Sequence, residues 1–151
     1  MRMAFVRLQP ALIVDEFVVR EYDHADDAQV SATGANTTTN PLGIFSGETL
    51  IGGTGLHDRN EPGDVELSYW LLDAWQGKGI ATKVAAALTE YAFTSPNVDR
   101  VLIKHVPDNE RSARIPARLG FLRIANMGSC GSCGDVEHVT WALTRTEWET
   151  R

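Results

Sequence analysis

Cysteine is scarce: the 151 residues hold two, Cys130 and Cys133, spaced Cys-Gly-Ser-Cys in a loop-like run from Met127 to Asp135. Two cysteines make no disulfide framework, and a chain of this length needs none, since it can bury about two-thirds of its unfolded surface. Zinc normally takes four ligands, and only Asp135, Glu137 and His138 stand near the pair, so no metal site is expected. A redox pair would open a helix beside a strand, and this glycine-rich run does not read that way. Positive charge in excess is also missing. Lys and Arg number 14 against 20 Asp and Glu, which gives a net charge of −6 and a pI near 5.1. Nucleic acid, whose phosphates demand a basic face, is therefore not expected as a partner. No apolar run approaches the roughly 20 residues that a membrane helix needs, and Met1 to Pro10 lacks the apolar core of a secretory signal. The expectation is a cytoplasmic protein with no membrane partner. What remains is ordinary for a soluble domain, 43% hydrophobic and 23% charged with no repeat, and predicts one domain over residues 1–151.

Phe17 to Tyr22, rich in β-branched and aromatic residues, predicts a first strand. Asp23 to Ser31 predicts a short helix capped by Asp23 or Asp26, and Ala32 to Asn40, with three consecutive threonines, a loop. Leu42 to Phe45 and Thr49 to Leu56 flank Ser46-Gly47-Glu48 as a hairpin. The glycines of its second strand either admit a close neighbour or mark a bulge. A turn over His57 to Asp64 leads to a two-faced strand, in which Val65, Leu67, Tyr69 and Leu71 alternate with Glu66, Ser68 and Trp70. From Gly79 the period becomes helical, with Ile80, Val84, Ala87, Leu88 and Tyr91 on one stripe and an end near Ser95-Pro96. Val101 to Val106 reads as a strand, and Pro107-Asp108-Asn109 opens a helix through Leu119 that Gly120 closes. Phe121 to Ile124 and Val136 to Leu143 are two last strands able to pair. The central strand, helix, strand unit demands a right-handed crossover and local parallel pairing, so the expected class is α/β or α+β with a mixed sheet.

Gln76-Gly77-Lys78-Gly79-Ile80-Ala81 falls between that strand and that helix. Glycines at 77 and 79 let backbone N–H groups converge where the helix dipole is positive, and Lys78 adds a charge, so the turn suits a phosphate. A Gly-x-Gly turn serves equally as a tight connection, and the nucleotide motifs are incomplete. A P-loop places its lysine after the second glycine, and a dinucleotide fold wants a third glycine where Thr82 stands.

The pattern resembles the GNAT acetyltransferases, whose coenzyme-binding motif of Gln or Arg, two residues, Gly, one residue, Gly or Ala is met by Gln76, Gly79 and Ala81. Upstream, Val65-Glu66-Leu67-Ser68-Tyr69-Trp70-Leu71 looks like the fourth strand of the ribosomal-protein N-terminal acetyltransferase branch. Downstream, Asn109, Ser112, Leu119, Gly120 and Phe121 match that branch's Asn, two residues, Ser, and a helix ending in Leu-Gly-Phe. The resemblance implies a mostly antiparallel sheet splayed between its fourth and fifth strands, with helices on both faces. Acetyl-coenzyme A would lie in the splay as cosubstrate. Its pantetheine would bond main-chain groups around Trp70, Leu71 and Leu72, its pyrophosphate would meet Gln76, Gly77, Lys78, Gly79, Ile80, Ala81 and Thr82, and Asn109 and Ser112 would contact the arm and its sulfur.

Attack of an amine on a thioester needs a base, a stabilised oxyanion and a tolerated thiolate. Glu66 is the expected general base, directly or through water; its alternative is a strand-surface carboxylate. A main-chain N–H near Leu71 would polarise the carbonyl. Many family members carry a tyrosine acid where this chain has Pro116, so Ser112 is the substitute acid the resemblance suggests, with Tyr69 reachable only if a bulge breaks the alternation. Pro116 should also kink or shorten its helix. His57 and His105 read more readily as polar strand-end residues than as bases. Arg111, Arg114 and Arg118 form a basic stripe that either reaches the coenzyme's 3′-phosphate or faces solvent.

The segment Tyr22 to Pro41 holds one short helix at most, where the family places two that wall the acceptor site. The acceptor cleft is then open, completed by a partner such as a second copy of the chain, or closed by the loop around Thr37-Thr38-Thr39. The leading expectation is an enzyme acetylating a primary amine, on a small molecule or a protein N-terminus; the acidic balance favours a cationic acceptor. A non-catalytic acyl-coenzyme A sensor is the alternative.

Overall fold

The computed structural model describes residues 11–58, 61–107, 109–127 and 138–150. The Cys130 and Cys133 pair, with Asp135 and Glu137, lies outside the described residues, as does Asp108. Eight strands form one sheet: β1 (Leu12–Val14), β2 (Phe17–Glu21), β3 (Leu42–Ser46), β4 (Thr49–Asp58), β5 (Asp64–Leu71), β6 (Arg100–His105), β7 (Leu122–Met127) and β8 (His138–Thr144). Their spatial order is β1-β2-β3-β4-β5-β6-β8-β7, so β8 inserts between β6 and β7. Every pairing is antiparallel except β5 with β6. That parallel pair is joined by α2 (Ile80–Phe93), as a crossover requires. The remaining helices are α1 (Asp27–Thr33), α3 (Glu110–Arg118) and α4 (Arg145–Glu149).

Helices α2 and α3 cover one face. Val84 and Leu88 of α2 and Leu119 beyond α3 join Val19, Ile44, Leu67, Val101, Ile103 and Leu143 in one buried cluster. Burying a side chain such as Leu88, fully shielded here, contributes about 1.5–3 kcal/mol. The odd-numbered residues of β5 face this core, so Glu66, Ser68 and Trp70 face away from it. Helix α3 runs on through Pro116 and closes as the glycine predicts: Gly120 has φ 83°, its N–H reaches Ala117 C=O at 3.2 Å, and Phe121 N–H reaches Pro116 C=O at 3.0 Å.

On the opposite face, Arg20 stacks 3.8 Å over the Phe45 ring and sends two N–H groups to the Asp26 carboxylate at 2.8 and 2.9 Å. Asp26 belongs to a single 3-10 turn, His24–Asp26, that precedes α1. The two candidate caps act together. Asp23 accepts from Ala25 N–H, and Asp26 accepts from Asp23 N–H. Gly34, at φ 69°, ends α1 three residues later than Ser31.

The Arg20 hydrogen bond holds the buried Asp26 carboxyl below its ordinary value, against the opposing effect of burial. Because the folded value is the lower one, this contribution is complete above about pH 4 and is lost as pH falls through the folded value. Asp26→Asn should destabilise the protein by about 3 kcal/mol at pH 7. It should also flatten the loss of stability between about pH 5 and pH 3, measured by denaturant unfolding at each pH.

Candidate functional site

Strands β5 and β6 pair only over Asp64↔Arg100, Val65↔Val101 and Glu66↔Leu102, although β5 runs on to Leu71. Arg100 pins the closed end with two bonds to the buried Asp64 carboxylate, at 2.9 and 2.6 Å. Beyond Glu66 the strands part. Leu72 N–H bonds Ile51 C=O of β4 at 2.9 Å, and the β4–β5 register has no shift, so even-numbered residues of β5 direct their backbone groups to β4. Tyr69 and Leu71 therefore turn theirs to the gap, whereas Trp70 and Leu72 are committed to the ladder. Gln76 Nε2 occupies Leu71 C=O at 2.9 Å, which leaves the Leu71 N–H facing the gap.

The gap opens into a cleft of about 670 Å³ on the α2 and α3 side of the sheet. One wall is the start of α2. Gly77 and Gly79 have φ of 76° and 79°, and a Cβ at either would meet nothing within 4 Å, so glycine is needed for conformation alone. Among the described residues no side chain caps this helix, and its first N–H groups have no partner within it, an arrangement that suits an anion. Gly77, Gly79, Ile80, Ala81 and Thr82 all line the cleft.

The facing wall is α3. Asn109 caps it by accepting from Ser112 N–H at 3.1 Å, and the half-buried Ser112 lines the cleft one turn in. Arg111, Arg114 and Arg118 line it too, with their side chains exposed to solvent. Gln76 spans the mouth, with its Oε1 accepting from Arg111 and its Nε2 also donating to Asp73 at 3.3 Å. The floor includes Tyr69, whose phenol burial pushes well above its ordinary value, so the hydroxyl stays neutral.

Glu66 stands on the other side of the sheet, 7% exposed and on the last paired rung before the splay. Lys104 of β6 holds its ammonium 3.6 Å from the carboxylate, and His57 is its cross-strand neighbour on β4. His57 Nε2 lies 3.2 Å from Ser68 Oγ, which in turn donates to Asn40 Oδ1 at 2.8 Å or Thr39 C=O at 3.1 Å. The loop after α1 thus lies over β4 and β5 through Thr39, Asn40 and Pro41. Glycines in β4 admit it. A Cβ at Gly55 would come 2.7 Å from Pro41 Cδ, and one at Gly53 2.3 Å from Trp70 Nε1. Both ring nitrogens of His105 are engaged, Nδ1 donating to Val106 C=O at 2.8 Å and Nε2 accepting from Trp141 Nε1–H at 2.9 Å.

The cleft therefore gathers Trp70, Leu71, Gln76, Gly77, Gly79, Ile80, Ala81, Thr82, Asn109 and Ser112. Two expected contributors fall outside it. Leu72 is committed to β4, and the Lys78 ammonium lies 5.3 Å from the Trp75 ring centroid, a cation–π position away from the cleft. Tyr69 stays on the face opposite Glu66, since no bulge interrupts β5.

A family model described as an acetyltransferase (GNAT) domain matches residues 8–122. YdaF of Bacillus subtilis, whose name assigns it provisionally to ribosomal N-acetylation, is 31% identical over 110 residues, 71% of this chain and 60% of its own length. The [ribosomal protein uS5]-alanine N-acetyltransferase of Escherichia coli is 31% identical over 86 residues, 54% of this chain and 43% of its own. The chain thus spans less than two-thirds of either relative. Mycobacterium smegmatis RimJ in complex with CoA-disulfide shares the fold, with a TM-score of 0.72 at 18% identity over 87% of this chain and 83% of that one.

Gly79→Asp would place a carboxylate against the helix terminus and strain the positive φ. It should weaken coenzyme A binding more than about ten-fold in calorimetry, since one displaced phosphate contact is worth over 1.4 kcal/mol. An unchanged dissociation constant would remove the anion site.

Proposed function

The chain belongs to the GNAT acetyltransferase family, and on that premise we propose that it moves the acetyl group of acetyl-coenzyme A to a primary amine by direct attack. The parting of β5 from β6 at Glu66 carries this reading. It leaves a slot through the sheet, with an anion-binding helix terminus on one side and a buried carboxylate at the apex on the other.

In this reading the N–H groups of Gly77 to Thr82 take the pyrophosphate, and Arg111, Arg114 and Arg118 take the remaining phosphate charge. The Leu71 N–H and the Asn109 side chain hold the pantetheine arm. Gln76 acts as a brace, tying the end of β5 to α3. The amine enters from the Glu66 side, bounded by Thr39 to Pro41 and His57. Its nitrogen attacks the thioester carbon, the C–S bond breaks, Glu66 takes the amine proton directly or through one water, and Ser112 donates a proton to the leaving sulfur. Ser112 recovers that proton from solvent. The acceptor is a primary amine on a small molecule or a protein N-terminus. The name of the Escherichia coli relative, an alanine N-acetyltransferase of a ribosomal protein, supports the second class.

A thiol reagent reads coenzyme release over a panel of Ala- and Ser-initiated peptides, spermidine, free amino acids and an aminoglycoside. Glu66→Gln should lower release on the best amine about 100-fold or more and leave coenzyme A affinity unchanged. Tight coenzyme binding with no release on any amine would identify an acyl-coenzyme A sensor instead.

A further inference from the structure

Tyr69 carries a hydroxyl that the protein itself leaves unsatisfied. The oxygen is buried from solvent and has no hydrogen-bond partner among the described residues, although the residue lines the cleft. Its cross-strand neighbour Thr54 donates its hydroxyl to Ser68 C=O at 2.7 Å, and no bond joins the Thr54 oxygen to the phenol. A phenol shielded from both water and protein loses the hydrogen bond it would keep in either, unless something arriving in the cleft supplies an acceptor.

Position selects that acceptor. Tyr69, Trp70 and Leu71 are the residues of β5 that line the cleft, and Tyr69 is the nearest of them to the apex at Glu66. An arm whose phosphates sit at the start of α2 runs past Leu71 first and presents its reactive end towards Tyr69. Resting on the coenzyme reading above, we propose that the Tyr69 hydroxyl donates a hydrogen bond to the thioester carbonyl oxygen, and so stabilises the oxyanion that forms there. Burial keeps the phenol neutral, so it donates a hydrogen bond and keeps its proton throughout. Two hydroxyls then face two atoms: Tyr69 the carbonyl oxygen from the strand, Ser112 the sulfur from α3.

Two measurements without an acceptor amine test this. Calorimetry compares acetyl-coenzyme A with S-ethyl-coenzyme A, which lacks the carbonyl. The wild type should prefer the acetyl form about five- to ten-fold, as expected for one buried hydrogen bond. Tyr69→Phe should bind S-ethyl-coenzyme A as the wild type does and lose most of that preference. Isotope-edited infrared spectra of bound carbonyl-labelled acetyl-coenzyme A should show the C=O stretch lowered in the wild type and returned towards its free position in Tyr69→Phe. Equal affinity of the wild type for both ligands would overturn the proposal without recourse to a variant, as would an identical lowered stretch in both proteins. Failure of the wild type to bind either ligand would overturn the coenzyme reading itself, and the Tyr69 assignment with it.

Discussion

The arrangement depends on one incomplete pairing, the three rungs that join β5 to β6. At one end the buried Asp64 carboxylate, chelated by Arg100, fixes the two strands together; past Glu66 no backbone rung joins them. Because the pair is parallel, the chain must cross over through a helix, and a right-handed crossover returns that helix with its N-terminus at the open end of the slot. The proposed anion site is thus a consequence of topology. Gly77 and Gly79 only let the turn close tightly enough to expose its N–H groups. The same parting leaves the backbone groups of Tyr69 and Leu71 without a strand partner, and such groups are costly to bury unless a ligand meets them.

Much of this was legible in the sequence because it is written in local rules. The alternation of Val65 to Leu71, the helical stripe from Ile80 and the Asn109 and Gly120 caps each specify their element through nearest neighbours, and all are found. The two last strands pair with each other as expected, but β8 also takes β6, a long-range choice that neither strand encodes by itself. Strand β1 and helix α4 carry no period in the sequence, because three and five residues are too short to show one. The first shifts the count, so the splay expected between the fourth and fifth strands lies between β5 and β6. The signal for α4 was present in Thr144 and Glu147, which form a capping box, while Arg145 ties the helix to the carbonyls of Phe93, Ser95 and Val98.

Within the site, positions were more legible than directions. Periodicity places Glu66 opposite Leu67 but does not say that Lys104 lies beside it, nor that the loop after α1 covers its side of the sheet. The basic stripe of α3 meets solvent at the rim of the cleft, and its orientation comes from Ile115 and Leu119 turning to the core. Reach, which periodicity does not encode, sets where the Lys78 and Gln76 side chains rest. Trp75 draws the lysine away from the cleft, and the amide of Gln76 is short enough to satisfy Leu71 C=O before any phosphate arrives.

Amide hydrogen exchange followed by NMR, with and without coenzyme A, tests the central claim that the gap beyond Glu66 holds the coenzyme. The account expects slowed exchange at Leu71 and at Gly77 to Thr82, with Trp70 and Leu72 unchanged because β4 already holds them. Binding that leaves those amides untouched, or protects a surface remote from β5, would contradict it.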